Sequence, residues 1–376
     1  MPAALASDPA NEVMFLSFYP RDDASTPGVV HARLRLDREP VVPGSEPYVE
    51  EWGRAFKLGR QTYRTLRRIR DSGFVPDMLF VAFSGGPALF IRHVFPEAFL
   101  VSCFDVMRRR DEGQDRAERF MAVRDMQIYQ LTQSDMGAAR SEAQKRTFPS
   151  ALRPRLFILP PHVDTDFFSP RAEDATEFFP QAVAASEGDV VTFHMKGAGR
   201  SAHGAARTVW GLLSQRPQCR VALTFGNNGV RETWEKLCAS LPDDWRHRLF
   251  FAGGLDRETY RRLLRVTSAH VFPEYARPPF QEMLESMSCE TLALVPAPDG
   301  DDDLLKDGET VLTLPEDSDA QIAKIGAALD HTEEAERVRK NARRVMASRC
   351  DERAVFSEFL AQVMAEYETF QTDGRR

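Results

Sequence analysis

The chain has 376 residues, beyond the size at which single cores stop growing, so two domains are expected. A formal net charge of −7, from 49 Lys and Arg against 56 Asp and Glu, argues against a nucleic-acid-binding footprint, which needs a basic excess. Cys103, Cys219, Cys238, Cys289 and Cys350 are scattered and show no CxxC spacing, which reads as reduced thiols in a cytoplasmic protein rather than a disulfide framework or zinc site. The start of the chain lacks the basic and apolar regions of a signal peptide, and no apolar run reaches bilayer length. The pairs Arg67-Arg68 and Arg343-Arg344 and the triplet Arg108-Arg109-Arg110 read as solvated helix faces, with membrane contact at most peripheral.

In chain order, short apolar runs alternate with amphipathic stretches, the pattern of parallel sheets covered by helices. Strands are predicted at 13–18, 29–36, 78–83, 99–104 and 156–159, with helices near 48–71, 87–94, 115–131 and 137–147. The second half predicts strands at 190–195, 220–225, 249–252, 270–272, 292–295 and 310–314. Its helices fall near 204–215, 230–240, 256–267, 279–289 and 317–329, and two more amphipathic helices follow at 333–348 and 352–371. The acidic, alanine-rich, aperiodic stretch 172–187 reads as a linker.

The most informative segment runs from His270 to Gly308. A short strand leads through a loop into a helix opening on Pro278-Pro279, where proline is tolerated because the first-turn N–H has no intrahelical partner. The free amides of such a turn, aided by the helix dipole, can seat a phosphate. Glu285, one turn further in, can accept hydrogen bonds from a pair of sugar hydroxyls, so the combination suits a nucleoside diphosphate.

The run Leu284-Glu285-Ser286-Met287-Ser288-Cys289-Glu290-Thr291-Leu292-Ala293, followed by Asp307-Gly308, resembles the donor segment of GT-B retaining glycosyltransferases of family four. That segment usually reads Leu-Glu-Ala-Met-Ala-Cys-Gly-x-Pro-Val. Pro160–Pro170 resembles the family's segment that closes the first domain, with His162 where glycine is usual. The resemblance implies an α/β fold of two Rossmann-like domains facing a cleft. The acceptor domain would span 1–170, a linker 171–188, the nucleotide-sugar domain 189–348, and a helix in 349–376 would pack on the first domain. The family's opening strand, loop and helix are not evident before the segment that residues 11–16 resemble.

The family neutralises the leaving diphosphate with an arginine and a lysine after the first strand of the second domain, and uses no metal there. Developing negative charge of this kind is best stabilised by pre-placed cations. Here Lys196 matches the arginine, and the lysine position falls on Ala202 or His203 with Arg200 nearby, so Lys196 and Arg200 are the expected clamp and His203 a third member. Arg277 stands where family members often carry a second glutamate; Phe280, Gln281 and Glu282 lie in the phosphate-facing turn with Glu285 behind them. Gly253, in a Gly-Gly turn, resembles the element beside the base, though a tight turn explains it equally well. On the acceptor side Gly85 and Gly86 end one strand, and Asp105 is a candidate for orienting the acceptor hydroxyl, with a buried cap or surface charge as its ordinary reading.

The resemblance thus implies transfer of a sugar from a nucleotide diphosphate to an unidentified sugar, lipid-linked or protein acceptor, with retention, in the making of cell-surface polysaccharide or glycoconjugate. The alternative is a relative that keeps the shell as a binding or assembly subunit, favoured by Arg277 and Glu290 at family-atypical positions.

Overall fold

The computed structural model describes residues 2–17, 27–34, 46–82, 86–104, 114–170, 188–195, 200–225, 228–239, 241–273, 281–297 and 304–372. They form two compact units, Met1–Pro160 with Arg353–Arg376 and Pro161–Glu352.

In the first unit, β1 (Val13–Ser17) and β2 (Val29–Arg33) make a parallel pair. A separate parallel sheet holds β3 (Met78–Ala82), β4 (Phe99–Cys103), β5 (Met136–Ala139) and β6 (Leu156–Ile158) in that order. Helix α1 (Pro47–Asp71) buries Ala55, Gly59, Thr62 and Leu66, whose three- and four-residue spacing is one helical face. Helix α2 (Gln114–Gln133) buries Ala122 and Met126 in a cluster with Ala55.

One predicted element is corrected. The stretch 137–147, expected as a helix, opens with β5 and only then forms a short helix, Glu142–Lys145. Ala138 and Ala139 favour a helix locally, but this run fills the middle of the sheet, where a Cβ on Gly137 would lie 2.7 Å from both Leu131 and Leu156. The expected helix at 87–94 is the 3-10 helix Pro87–His93.

In the second unit, β7 (Val190–Met195), β8 (Arg220–Phe225), β9 (Leu249–Phe251), β10 (Ala269–Val271), β11 (Leu292–Pro296) and β12 (Leu312–Leu314) pair in parallel. Their order is β12-β11-β10-β7-β8-β9. Strands covered on both faces need apolar residues throughout, which is why they appear as unbroken runs in the sequence. Val191, Phe193, Val271, Leu292 and Leu294 join one core with α3 (Arg200–Gln215), α4 (Asn228–Cys238) and α7 (Ser318–Asp330). Side chains one position along face the other way, where Phe272, Ala293 and Val295 meet α6 (Gln281–Ser288) and α8 (Thr332–Arg349). Helix α5 (Arg257–Val266) places Leu263 against Val190 and Ala222.

The expected boundary at residue 170 moves to Pro160. The Val163 amide donates to the Cys350 carbonyl at 2.8 Å, and the Glu352 amide donates to that of Val163 at 2.9 Å. Phe168, buried with Met283, Met287 and Met346, ties this segment to the second core. The residues 171–187, expected as linker, lie outside the described ones. Beyond Glu352 the chain returns to the first unit: α9 (Glu352–Thr372) buries Val355, Phe356, Phe359 and Val363 against Phe99 and Val101.

Candidate functional site

In the second unit, the chain leaves β9 at one sheet edge and returns to the centre as β10, which pairs with β7. Connections from adjacent strands diverge at such a reversal and open a crevice at the strands' carboxyl ends, where doubly wound sheets bind their ligands. The carboxyl ends of β7 and β10, at Met195 and Val271, are therefore the strand ends nearest to it.

His194 and His270 both project on the α6 side. His194 is buried, and its Nδ1 lies 3.1 Å from the hydroxyl of Thr224. That hydroxyl also lies within donating distance, 3.3 Å, of the Phe193 carbonyl. Nε2 faces Oε1 of Glu282, 3.9 Å away on the first turn of α6. His270 is fully buried with its ring 4.3 Å from that of Phe272, and neither nitrogen has a hydrogen-bond partner among the described residues. Burial, and secondarily the neighbouring His194, hold its pKa well below the ordinary value, so it stays neutral.

Glu285 follows Glu282 by three positions and thus lies on the same side of α6. Its Oε1 accepts from Gln281 Nε2 at 3.4 Å. Burial first, then the charge of Glu282, push the Glu285 carboxyl up to about 8, against which Gln281 and the Arg257 guanidinium pull more weakly. The Tyr260 hydroxyl is buried without a hydrogen-bond partner among the described residues. Burial, followed by Glu285 and Glu282, raises its pKa well above the ordinary value. Helix α6 is anchored from behind: Leu284 and Met287 are buried, and the Ser288 hydroxyl donates to the Phe168 carbonyl at 2.6 Å while accepting from Arg343 at 2.7 Å.

Of the sequence candidates, Gln281, Glu282 and Glu285 share the first turns of α6. His203 is exposed on α3, and Arg200 begins that helix with its side chain outside the described residues. Gly253 has a packing explanation, since a Cβ there would lie 2.8 Å from the Phe225 ring, which stacks on Phe251. Gly86 also has one: at φ 147° it meets the α1 backbone, and a Cβ would lie 2.3 Å from the Ala55 carbonyl oxygen. Lys196, Asp105, Arg277, Phe280 and Gly85 lie outside the described residues.

Glu290 has a structural reading too. It ends α6 at φ 59°, the left-handed conformation in which helices favour glycine. The next amide, Thr291, donates to the Ser286 carbonyl at 2.9 Å.

His194, His270 and Arg257 escape sequence reasoning. The available signal was a histidine in each of two apolar strand runs, TFHM and AHVF, but which strands pair is not a local property. Among the described residues no group of three His, Cys, Asp or Glu side chains assembles as a metal site.

Comparison with known proteins completes this picture. Residues 9–168 match a family described as the glycosyl transferase family 4 group, and residues 207–361 match one described as glycosyl transferase-like. No curated protein matches the sequence significantly. Among solved structures, sucrose-phosphate synthase from Thermosynechococcus elongatus superposes with a TM-score of 0.72 at 19% identity, covering 97% of this chain and 92% of that one. Anabaena HepE in complex with UDP and glucose gives 0.69 at 13% identity, covering 96% and 94%. A glycosyltransferase from Rickettsia africae gives 0.65 at 10% identity, covering 99% and 94%. At these identities the superpositions establish a shared two-domain GT-B fold.

Proposed function

Because the chain belongs to the family 4 group of glycosyltransferases and has the GT-B fold, we propose that it moves a sugar from a nucleoside-diphosphate donor to an acceptor, with retention of configuration. One observation carries this reading: the reversal of strand order between β7 and β10 coincides with a helix whose first turns carry Glu282 and Glu285. On this reading Glu285 accepts from the donor's hydroxyls, and the amides from Phe280 to Glu282 receive the diphosphate. Lys196 and Arg200, with His203 and Arg277 as further members of the clamp, neutralise charge as the sugar–oxygen bond breaks. Gly253 borders the base, Gly85 and Gly86 border the acceptor, and Asp105 orients its hydroxyl. The sugar is a hexose, the acceptor part of a surface polysaccharide or glycoconjugate, the compartment the cytoplasm, and no metal takes part. The binding of UDP and glucose by HepE supports a nucleotide-sugar ligand.

The test is release of nucleoside diphosphate from a panel of sugar nucleotides, with Lys196→Ala and Glu285→Ala compared with the unaltered chain. Losses of about 100-fold or more in kcat/KM are expected for both. No turnover with any donor, and no donor-dependent rise in Tm, would overturn the reading.

A binding-only relative is the second reading. It draws on Arg277 at a position where the family often has glutamate, and on the Glu282 carboxylate in the phosphate-facing turn. Calorimetric binding of a donor without turnover would select it.

A further inference from the structure

The exposed face of α1 carries a feature that sugar transfer does not use. Lys57, Arg60, Arg64, Arg67 and Arg68 recur at three- and four-residue spacing, so they form one stripe opposite the buried Ala55, Gly59, Thr62 and Leu66. From Lys57 to Arg68 the stripe runs about 16 Å. No acidic residue occurs in α1 between Glu51 and Asp71. Arg64, Arg67 and Arg68 are exposed and have no ion pair among the described residues.

Beside the stripe lie aromatic rings. Phe56 is 52% exposed although large and apolar. It meets Phe90 edge-on at 5.6 Å, and Phe90 meets Tyr63 at 6.4 Å. The Arg67 guanidinium lies over Tyr63, 5.9 Å from the ring centre. Val49, two turns before Phe56 on the same stripe, is 58% exposed. In sequence alone Arg67-Arg68 reads as a solvated pair; the fold adds the aligned cations and the uncovered rings.

We propose that this face of α1 docks on an anionic phospholipid surface, with the cations against headgroup phosphates and Phe56 in the interfacial layer. Charge complementarity argues for an anionic partner, because a chain of net charge −7 concentrates these cations on one helix. The exposed Phe56 and Val49 argue for a surface with an apolar layer just beneath its charge, which neither a nucleic acid backbone nor an acidic peptide presents. No described helix is long and apolar enough to cross a membrane.

The test is co-sedimentation of the full chain with phosphatidylcholine vesicles and with vesicles containing about one-third phosphatidylglycerol, at low and high salt. Binding is expected only to the anionic vesicles, and it should weaken steeply with salt. The combined Arg64→Ser, Arg67→Ser and Arg68→Ser variant should weaken it on the order of 100-fold. Phe56→Ser should weaken it about tenfold while leaving retention on immobilised polyglutamate unchanged. The substituted side chains are exposed, so circular dichroism and Tm should match the unaltered chain. Failure to bind anionic vesicles would overturn the proposal. So would binding indifferent to the arginine changes, or Phe56→Ser leaving vesicle binding intact, which would point to an acidic protein instead.

Discussion

His194 Nε2 lies 3.9 Å from Glu282 Oε1, linking the end of β7 to the first turn of α6. Glu285, one turn deeper, has Gln281 as its neutral partner. Around them the Tyr260 hydroxyl and both His270 nitrogens are buried without partners among the described residues. Orphaned polar groups of this kind cost stability, and their concentration in one place marks a surface shaped for binding rather than for folding.

Glu285 should make the protein less stable as pH rises. Its folded-state value of about 8 lies above the ordinary 4.5, so between those values the folded chain holds a proton that the unfolded chain has released. Stability from this group is complete below the lower value and is lost through the upper one. Glu285→Gln should melt like the unaltered chain near pH 4.5 and be more stable by about 2–3 kcal/mol at pH 8.5, a figure reduced for partial exposure. The same variant should lose donor affinity. Parallel pH profiles of Tm for the two proteins would show the carboxyl to be ordinary.

His270 should act in the opposite sense. Burial holds its folded-state value below the ordinary 6.5, so as pH falls from there the unfolded chain gains a proton the folded chain refuses. Its contribution is present above 6.5 and is lost as pH falls toward the folded value. His270→Leu, close in volume and without polar atoms, should flatten the acid limb of the stability profile. Chemical denaturation at pH 5 and pH 7 is the check; an unchanged difference between the two would contradict a buried neutral imidazole.

Two backbone positions should respond with opposite signs. Glu290→Gly should stabilise the chain by about 1 kcal/mol, because φ 59° suits glycine better than a residue with a Cβ. Gly86→Ala should destabilise by about 3 kcal/mol or more, since the added methyl would lie 2.3 Å from a carbonyl oxygen in α1. Urea titrations read both. A stabilised Gly86→Ala protein would mean that α1 and the loop after β3 are not in contact.

What the sequence determined by itself was periodic and local. Buried parallel strands had to be continuous apolar runs, so β7, β8 and β11 could be located to within a residue, and the Leu284–Cys289 rhythm placed Glu285 on its helix before any coordinates. Tertiary structure decided the rest. It made Met136–Ala139 a strand by giving those small residues two neighbours to pair with. It also paired β10 with β7 rather than with β9, which precedes it among the sheet's strands, bringing His270 and His194 within 6.3 Å between ring centres. Local spacing encodes which face a side chain occupies, whereas the order of strands follows from how whole helices pack across the sheet.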